Sequence, residues 1–250
     1  NALLAAGGER IKTHYGTTVA RLEKTTDGWQ IFDSTDQLLG SAPHLIMANA
    51  QAAQALLPLP VPLTLLPIRG QISYLEKLAG DDNHPPLRHV LCRSGYLTPP
   101  ESGILCVGAS FDSGDSDLQS RLSDHEGNLQ RLEELLPGAS RGMDARSLTG
   151  RVGIRSTARD RVPLVGTLPA LLTSKDAEHT TLPHIPRIPG LHVLLGLGAR
   201  GMVWAPLAAE LLACQLADEP LPLDPSLVKL IDPARFYLQA LRRKNVSNHC

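Results

Sequence analysis

HVLLGLGARGMVWAPLAAELLACQLA, residues His192 to Ala217, is the stretch on which the reading of this chain turns. A β-rich run, His192 to Leu195, leads into Gly196, Gly198 and Gly201 at G-x-G-x-x-G spacing, and the apolar residues from Met202 onward predict a helix with Pro206 in its first turn. Only residues without a Cβ let such a turn take positive φ and let a ligand approach the N–H groups at the helix start. Two readings stay open at this point: a ligand-bearing turn, and a tight strand-to-helix turn that binds nothing. A nicotinamide site would need a following strand with an acidic residue. Asp218 and Glu219 stand near that distance, but in DEPLPLDPS, a proline-broken loop.

At 250 residues, with 42% hydrophobic and 20% charged residues, the chain has the composition of a folded protein with a sizeable core. A formal charge of -1 argues against a dedicated nucleic-acid coat. Cys92, Cys106, Cys214 and Cys250 are scattered without C-x-x-C pairs, so neither a metal site nor a disulfide framework is predicted, and a reducing, cytoplasmic setting fits. The apolar run Leu56 to Ile68 is broken by Pro58, Pro60, Pro62 and Pro67, and the helix after Gly201 is too short to span a bilayer. No membrane segment is expected.

From its start the chain predicts a β-meander: Arg10 to Lys12, Thr17 to Leu22, Trp29 to Asp33 and Leu45 to Ala48, after a short helical remnant at Asn1. A helix from about Gln51 to Leu57 should end before Pro58. No strand, glycine-rich turn and helix unit precedes this meander, so a nucleotide-binding βαβ unit is expected to be missing. The proline run Leu57 to Pro67 reads as a crossing between domains. Beyond it, Ile68 to Leu75, Val90 to Cys92, Tyr96 to Thr98 and Leu105 to Ala109 read as antiparallel strands, with Asp81-Asp82-Asn83 and Pro99-Pro100 among their turns. Ser123 and Glu126 have capping-box spacing ahead of a helix that Pro137-Gly138 stops. Asp224-Pro225 and Asp232-Pro233 predict two further capped helices, the last ending in Arg242, Arg243 and Lys244. The expected division is residues 1–62, a sheet-based domain at 63–148, and a return to the first domain at 149–250. Arg151, Arg155, Arg159 and Arg161 punctuate that return. Solvated surface arginines and one arginine forked onto a carboxylate are both compatible with their spacing.

The order of LIMANAQAAQALLP, PIRGQIS, a YLTP strand, GIRSTARDRVPLVG and GLGARGMVWAPLAAELLA resembles the FAD-dependent D-amino-acid, glycine and sarcosine oxidase family. Within it, PIRGQIS, LCRSGYLTP, VGIRSTARDRVPLVG, GARGMVWAPLAAELLA and DEPLPLD are most similar to the oxidoreductase part of the bifunctional tRNA wobble-uridine enzymes that make 5-methylaminomethyl-2-thiouridine. The likeness covers nearly the whole chain after about Glu9. It departs in lacking the flavin-binding βαβ unit and the methyltransferase half, and in carrying Ala50 where many relatives have glycine. The fold it implies is of the mixed α/β (α+β) class: an incomplete FAD-binding domain of the D-amino-acid oxidase type plus an antiparallel-sheet substrate domain.

The resemblance also implies roles. Gly196, Gly198, Ala199, Arg200, Gly201 and Met202 would face the isoalloxazine ring of FAD, with the positive helix end toward its pyrimidine carbonyl. Val19, Ala48 and Asn49 would line the adenosine side. Arg155 would grip the substrate carboxylate, Tyr96 would orient it, and Arg200 would border both flavin and substrate. The implied reaction removes the carboxymethyl group of tRNA 5-carboxymethylaminomethyl-2-thiouridine as glyoxylate, leaving the aminomethyl nucleoside. A glycine or sarcosine-type oxidase would share the flavin residues, and a module without flavin would keep only the fold. With no phosphate-cradling unit, the chain alone is expected to hold FAD weakly.

Overall fold

The computed structural model describes residues 6–57, 63, 65–76, 87–173 and 180–247, with side chains as far as Arg242 in the last helix. The proline crossing at 58–62, the turn at 81–83 and the start of the expected helical remnant lie outside the described residues. The chain divides into two compact units, one comprising Asn1–Leu63, Val165–Leu194 and Asp224–Cys250, the other Thr64–Leu164 and Leu195–Leu223.

The first unit opens with an antiparallel meander, β1 (Arg21–Lys24), β2 (Trp29–Phe32) and β3 (Leu38–Ala42). Trp29 is buried and its indole N–H donates to Pro189 O at 3.0 Å, tying the meander to the strand that contains Pro189. The sequence reading differs here, first in that the strand expected at Thr17 to Leu22 is observed at Arg21–Lys24. Residues 10–12 form no strand, and β3, with Gly40, Ser41 and Ala42, was not expected because its small residues carry too little apolar alternation to register as a strand. β4 (Leu45–Met47) leads into a 3-10 turn, Ala50–Ala52, and a one-turn helix α1 (Ala53–Leu56), which ends ahead of Pro58 as expected.

The second unit is built on β5 (Leu65–Leu75). The remaining strands of its sheet are β6 (Leu91–Cys92), β7 (Tyr96–Leu97), β8 (Leu105–Gly108), β9 (Asp112–Ser113) and β10 (Gly150–Ala158), in the order β10-β5-β8-β7-β6 with β9 also on β5. Antiparallel pairing runs along nearly all of β5, from Gly150 opposite Ser73 to Ala158 opposite Leu65. This pairing places 150–158 in the sheet, whereas the expected division had joined them to the first domain. Compactness therefore divides the chain differently from that expectation.

One face of this sheet is covered by helix α2 (Leu122–Leu135). Leu75, Leu97, Leu105, Val107, Leu132 and Ala139 form an apolar cluster, and beside it Arg69, Gln71, Ser73, His125 and Asn128 are buried polar groups. These are joined rather than stranded. Arg69 Nη1 donates to Asp124 at 2.5 Å, Arg69 Nε donates to Asp117 O at 2.8 Å, and Asn128 Nδ2 donates to Gln71 O and Ser73 Oγ at 3.0 Å each. His125 Nδ1 lies 2.7 Å from Ser73 Oγ, and burial pushes its imidazole toward the neutral form. The capping box expected at Ser123 and Glu126 does not form, because the helix begins at Leu122 with Arg121 at the N-cap and no side-chain cap. Gln71 fixes this entry instead: its Oε1 accepts from Arg121 N at 2.8 Å and its Nε2 donates to Arg121 O at 2.9 Å. The helix end is thus clamped to the sheet, which a local motif cannot report.

Completing the chain are β11 (Leu164–Pro169), β12 (Arg187–Leu195), α3 (Gly201–Ala217), α4 (Pro225–Ile231) and α5 (Arg235–Ser247). β12 lies between β11 and β4 and pairs in parallel with β4, Leu191 opposite Leu45. Asp224 and Pro225 open α4 as expected, although the Asp224 side chain makes no cap bond. Asp232 accepts a fork from Arg187 at 2.9 and 2.7 Å and also accepts from Ala234 N at 2.8 Å. Arg242 donates to Thr180 O at 2.8 Å. Among the described residues no helix is long and apolar enough to cross a membrane.

Arg69 is fully buried, with Asp124 as its close partner and Asp112 Oδ2 at 3.5 Å. Removing one partner of a buried pair leaves a charge uncompensated, so Asp124→Asn should cost about 3 kcal/mol, seen as a lower urea-unfolding midpoint. An unchanged midpoint would show that Asp112 is enough to compensate the guanidinium charge.

Candidate functional site

Glycine is required at the turn after β12 for two separate reasons. Gly196 has φ +72 and Gly198 φ +57, and a Cβ on Gly198 would stand 2.9 Å from Thr157 Oγ1. Thr157 and Leu197 form an isolated antiparallel bridge, which fastens the turn to the end of β10. A 3-10 turn, Gly198–Arg200, then enters α3, whose N-cap Arg200 contributes no side-chain acceptor. The first-turn N–H groups of a 17-residue helix therefore end without a side-chain cap, a geometry that favours an electron-rich ligand atom. Ala199, Arg200 and Met202 are all exposed around this turn. Pro206 was expected in the first turn, but with the helix starting at Gly201 it lies one turn further in, where its ring removes the N–H that would bond to Met202 O.

The strand that holds the turn also carries the arginine of interest. Side chains alternate along β10, so Arg151, Gly153, Arg155 and Thr157 share one face. The register puts Ile72, Gly70 and Ile68 of β5 on that same face, and Gly108 and Tyr96 follow from β8 and β7. This is the face opposite α2, and it is floored by glycine. A Cβ on Gly70 would overlap the Arg155 guanidinium, whereas one on Gly153 would meet nothing within 4 Å. Arg155 thus lies flat over Gly70, half-buried, with Nη1 directed at Arg69 O at 3.4 Å and Ser110 O at 3.3 Å. A guanidinium has five donors, so these contacts leave the N–H groups on Nε and Nη2 for a bidentate acceptor. Tyr96 is half-buried on the same face; burial pushes its phenol up and the Arg155 charge pulls it the other way. Its O–H therefore remains a neutral donor at physiological pH.

Phe111 was missed by the sequence reading. Its ring is 53% exposed, with the guanidinium carbons of Arg155 and Arg161 at 5.6 and 5.9 Å from its centroid. It stands in ASFDSGD, a polar loop where a single aromatic gives no periodic signal.

In the other unit, Val19, Ala48 and Asn49 border one open groove of about 640 Å³, with Met47, Ala52 and Leu56 among its apolar walls. The groove runs along β4, between it and the meander residues Leu22 and Ile31, and continues past its carboxyl end at Ala48 and Asn49. At its edge Ala50 adopts φ +53, a left-handed conformation that its side chain disfavours.

Comparison with known proteins is consistent across sequence and structure. The family described as DAO, FAD dependent oxidoreductase, matches residues 2–215. The tRNA 5-methylaminomethyl-2-thiouridine biosynthesis bifunctional protein MnmC of Azoarcus sp. (strain BH72) is 45% identical over 241 residues, 96% of this chain and 37% of that protein. The MnmC protein of Burkholderia cenocepacia (strain HI2424) is 39% identical over 252 residues, 99% of this chain and 38% of that protein. The chain thus spans a little over a third of the length of these relatives. Glycine oxidase from Geobacillus kaustophilus superposes with a TM-score of 0.65 at 19% identity, covering 88% of this chain and 52% of that one. Iminodiacetate oxidase (IdaA) from Chelativorans sp. BNC1 gives 0.61 at 22% identity, covering 87% and 52%. These two likenesses show the fold.

The strain at Ala50 is testable. Ala50→Gly relieves a left-handed β-carbon and in return frees the unfolded chain, so the net gain should be about 0.5 to 1 kcal/mol, read as a higher urea midpoint. A lower midpoint would mean that residue 50 is not held at positive φ in solution.

Proposed function

Because the chain belongs to the DAO family of FAD-dependent oxidoreductases, we propose that it performs the amine-oxidising step of tRNA wobble-uridine maturation, converting the carboxymethylaminomethyl group of 5-carboxymethylaminomethyl-2-thiouridine to aminomethyl. The observation that carries this reading is the half-buried Arg155 laid over Gly70, one strand alternation from Thr157, which touches the glycine turn. A carboxylate receptor on the strand that fastens a flavin-facing turn suits a substrate whose oxidised carbon sits beside a carboxylate.

The residues present fit FAD at its ring end. Gly196 and Gly198 leave the turn free of side chains, and the uncapped first turn of α3 would set its N–H groups and positive dipole end toward a ring carbonyl. Val19, Ala48 and Asn49 would line the adenosine side of the cofactor. FAD, when bound, supplies a two-electron acceptor for the hydrogen on the carbon next to the amine.

Arg155 would hold the substrate carboxylate through Nε and Nη2, and Tyr96 would donate its phenolic proton to the same group. Arg200, exposed at the N-cap of α3, would border the substrate arm from the side of the turn. Holding the arm this way aligns its carbon–hydrogen bond, so positioning is most of what the chain contributes. Loss of that hydrogen with two electrons leaves an imine on the substrate nitrogen, and water cleaves it to glyoxylate and the aminomethyl nucleoside. Release of glyoxylate from a hairpin RNA carrying the modified uridine, measured on the natural full-length protein, tests the reaction; turnover of glycine or sarcosine in its place would assign a free amino acid.

Arg155→Lys should raise KM while flavin content stays constant, because a point-charge ammonium cannot reproduce the fork. Losing one charge-assisted bond of about 1.5 to 3 kcal/mol corresponds to roughly tenfold to a hundredfold in KM. An unchanged KM would return Arg155 to a structural role.

A further inference from the structure

We infer that Phe111 is a stacking platform for the pyrimidine ring of the nucleoside whose side arm Arg155 holds; this rests on the RNA substrate proposed above. An aromatic side chain in a loop ordinarily turns inward to bury its large apolar area. Phe111 stays 53% exposed in a backbone that is firmly held on both sides. On one side, Ser110 N donates to Gln71 O at 3.2 Å and Ser110 Oγ accepts from Gln71 N at 3.0 Å. On the other, Asp112 and Ser113 pair with Arg69 and Ile68, and Gly114 N donates to Pro67 O at 2.8 Å. The ring is thus presented from a fixed position.

Its neighbours are suited to a nucleoside. Arg155, which would donate to the carboxylate in the proposed reaction, has its guanidinium carbon 5.6 Å from the ring centroid, a separation that a short carboxymethylaminomethyl arm spans when its uracil lies on Phe111. Arg161, 5.9 Å from the same centroid and exposed, adds positive charge where the ribose-phosphate backbone of such a nucleotide would run. Single-stranded RNA is read mainly through unstacked bases laid on aromatic and guanidinium planes, which is the surface that Phe111 and its two arginines make together. A free amino acid has no ring to place there, so this residue would set the preference for a nucleoside-borne amine.

The test uses the natural full-length protein and an anticodon hairpin bearing 5-carboxymethylaminomethyl-2-thiouridine, with binding followed by fluorescence anisotropy. Phe111→Ala should weaken binding by about fivefold to a hundredfold, as loss of one base stack does, and Phe111→Trp should bind like the parent. Phe111→Leu, which keeps apolar bulk but no aromatic face, should resemble Phe111→Ala; this comparison stands even if the alanine variant fails to fold. Equal binding by the parent and Phe111→Ala, or rescue by Leu as full as that by Trp, would overturn the inference. Glyoxylate release by the parent is scored separately. If it is absent while the aromatic dependence of binding persists, the reaction assigned above fails and the platform stands.

Discussion

A buried guanidinium sets the terms for the sheet of the second unit. Arg69 has no exposed side-chain surface, and a charge in that position is tolerated only when every donor finds an acceptor. It finds them in the Asp124 carboxylate, the carbonyls of Asp117 and Gln119, and the Gln71 side chain. All of these but Gln71 come from the loop after β9 and the start of α2, so satisfying one arginine fixes a whole segment against β5. Because side chains alternate on a strand, packing Arg69, Gln71 and Ser73 against α2 commits Ile68, Gly70 and Ile72 to the opposite face. That face is where Arg155 lies. The polar interior on one side and the glycine floor on the other are consequences of a single register.

Glycines were the most legible part of the site, and for a physical reason. A turn that needs positive φ, as at Gly196 and Gly198, admits few residues other than glycine, so its spacing survives in the sequence as a pattern. The long strand at 68–75 was legible for a similar reason, since apolar and polar residues alternate along it. What failed were features defined by partners distant in sequence. The entry to α2 is capped by Gln71, about fifty residues upstream of Arg121, so the local Ser123 and Glu126 spacing pointed to a box that the chain does not use. The pairing of residues 150–158 was out of reach for the same reason: their extended character was readable, but their partner strand was not.

Phe111 and Ala50 mark the same limit from two directions. Nothing in a polar loop containing a single aromatic says whether that ring turns inward or outward; only the anchoring of Ser110 and Ser113 to β5 decides it. Ala50 stands where the resemblance implied glycine in many relatives, and its φ of +53 gives that difference a physical meaning. An L-residue in the left-handed region costs about 1 to 2 kcal/mol, which a fold can carry when neighbouring contacts over-determine the backbone.

Helix α3 shows how a stability liability can coincide with a site. It is apolar around nearly its whole circumference, a pattern that ordinarily means burial on all sides. Ala208, Leu211, Leu212 and Cys214 are indeed buried toward its C-terminal half, yet Met202 and Val203 in the first turn are 93% and 76% exposed. Their exposure is a cost that packing among the described residues does not offset. The same turn holds N–H groups without a side-chain cap and two glycines at positive φ. An apolar ring edge with carbonyl acceptors satisfies all three conditions at once, covering the exposed side chains, accepting from the N–H groups and fitting where a Cβ would intrude. FAD has such a ring, and the family to which the chain belongs uses it. On the function proposed above, Met202 and Val203 would pack against that ring, which would account for two exposed apolar side chains at the start of an apolar helix.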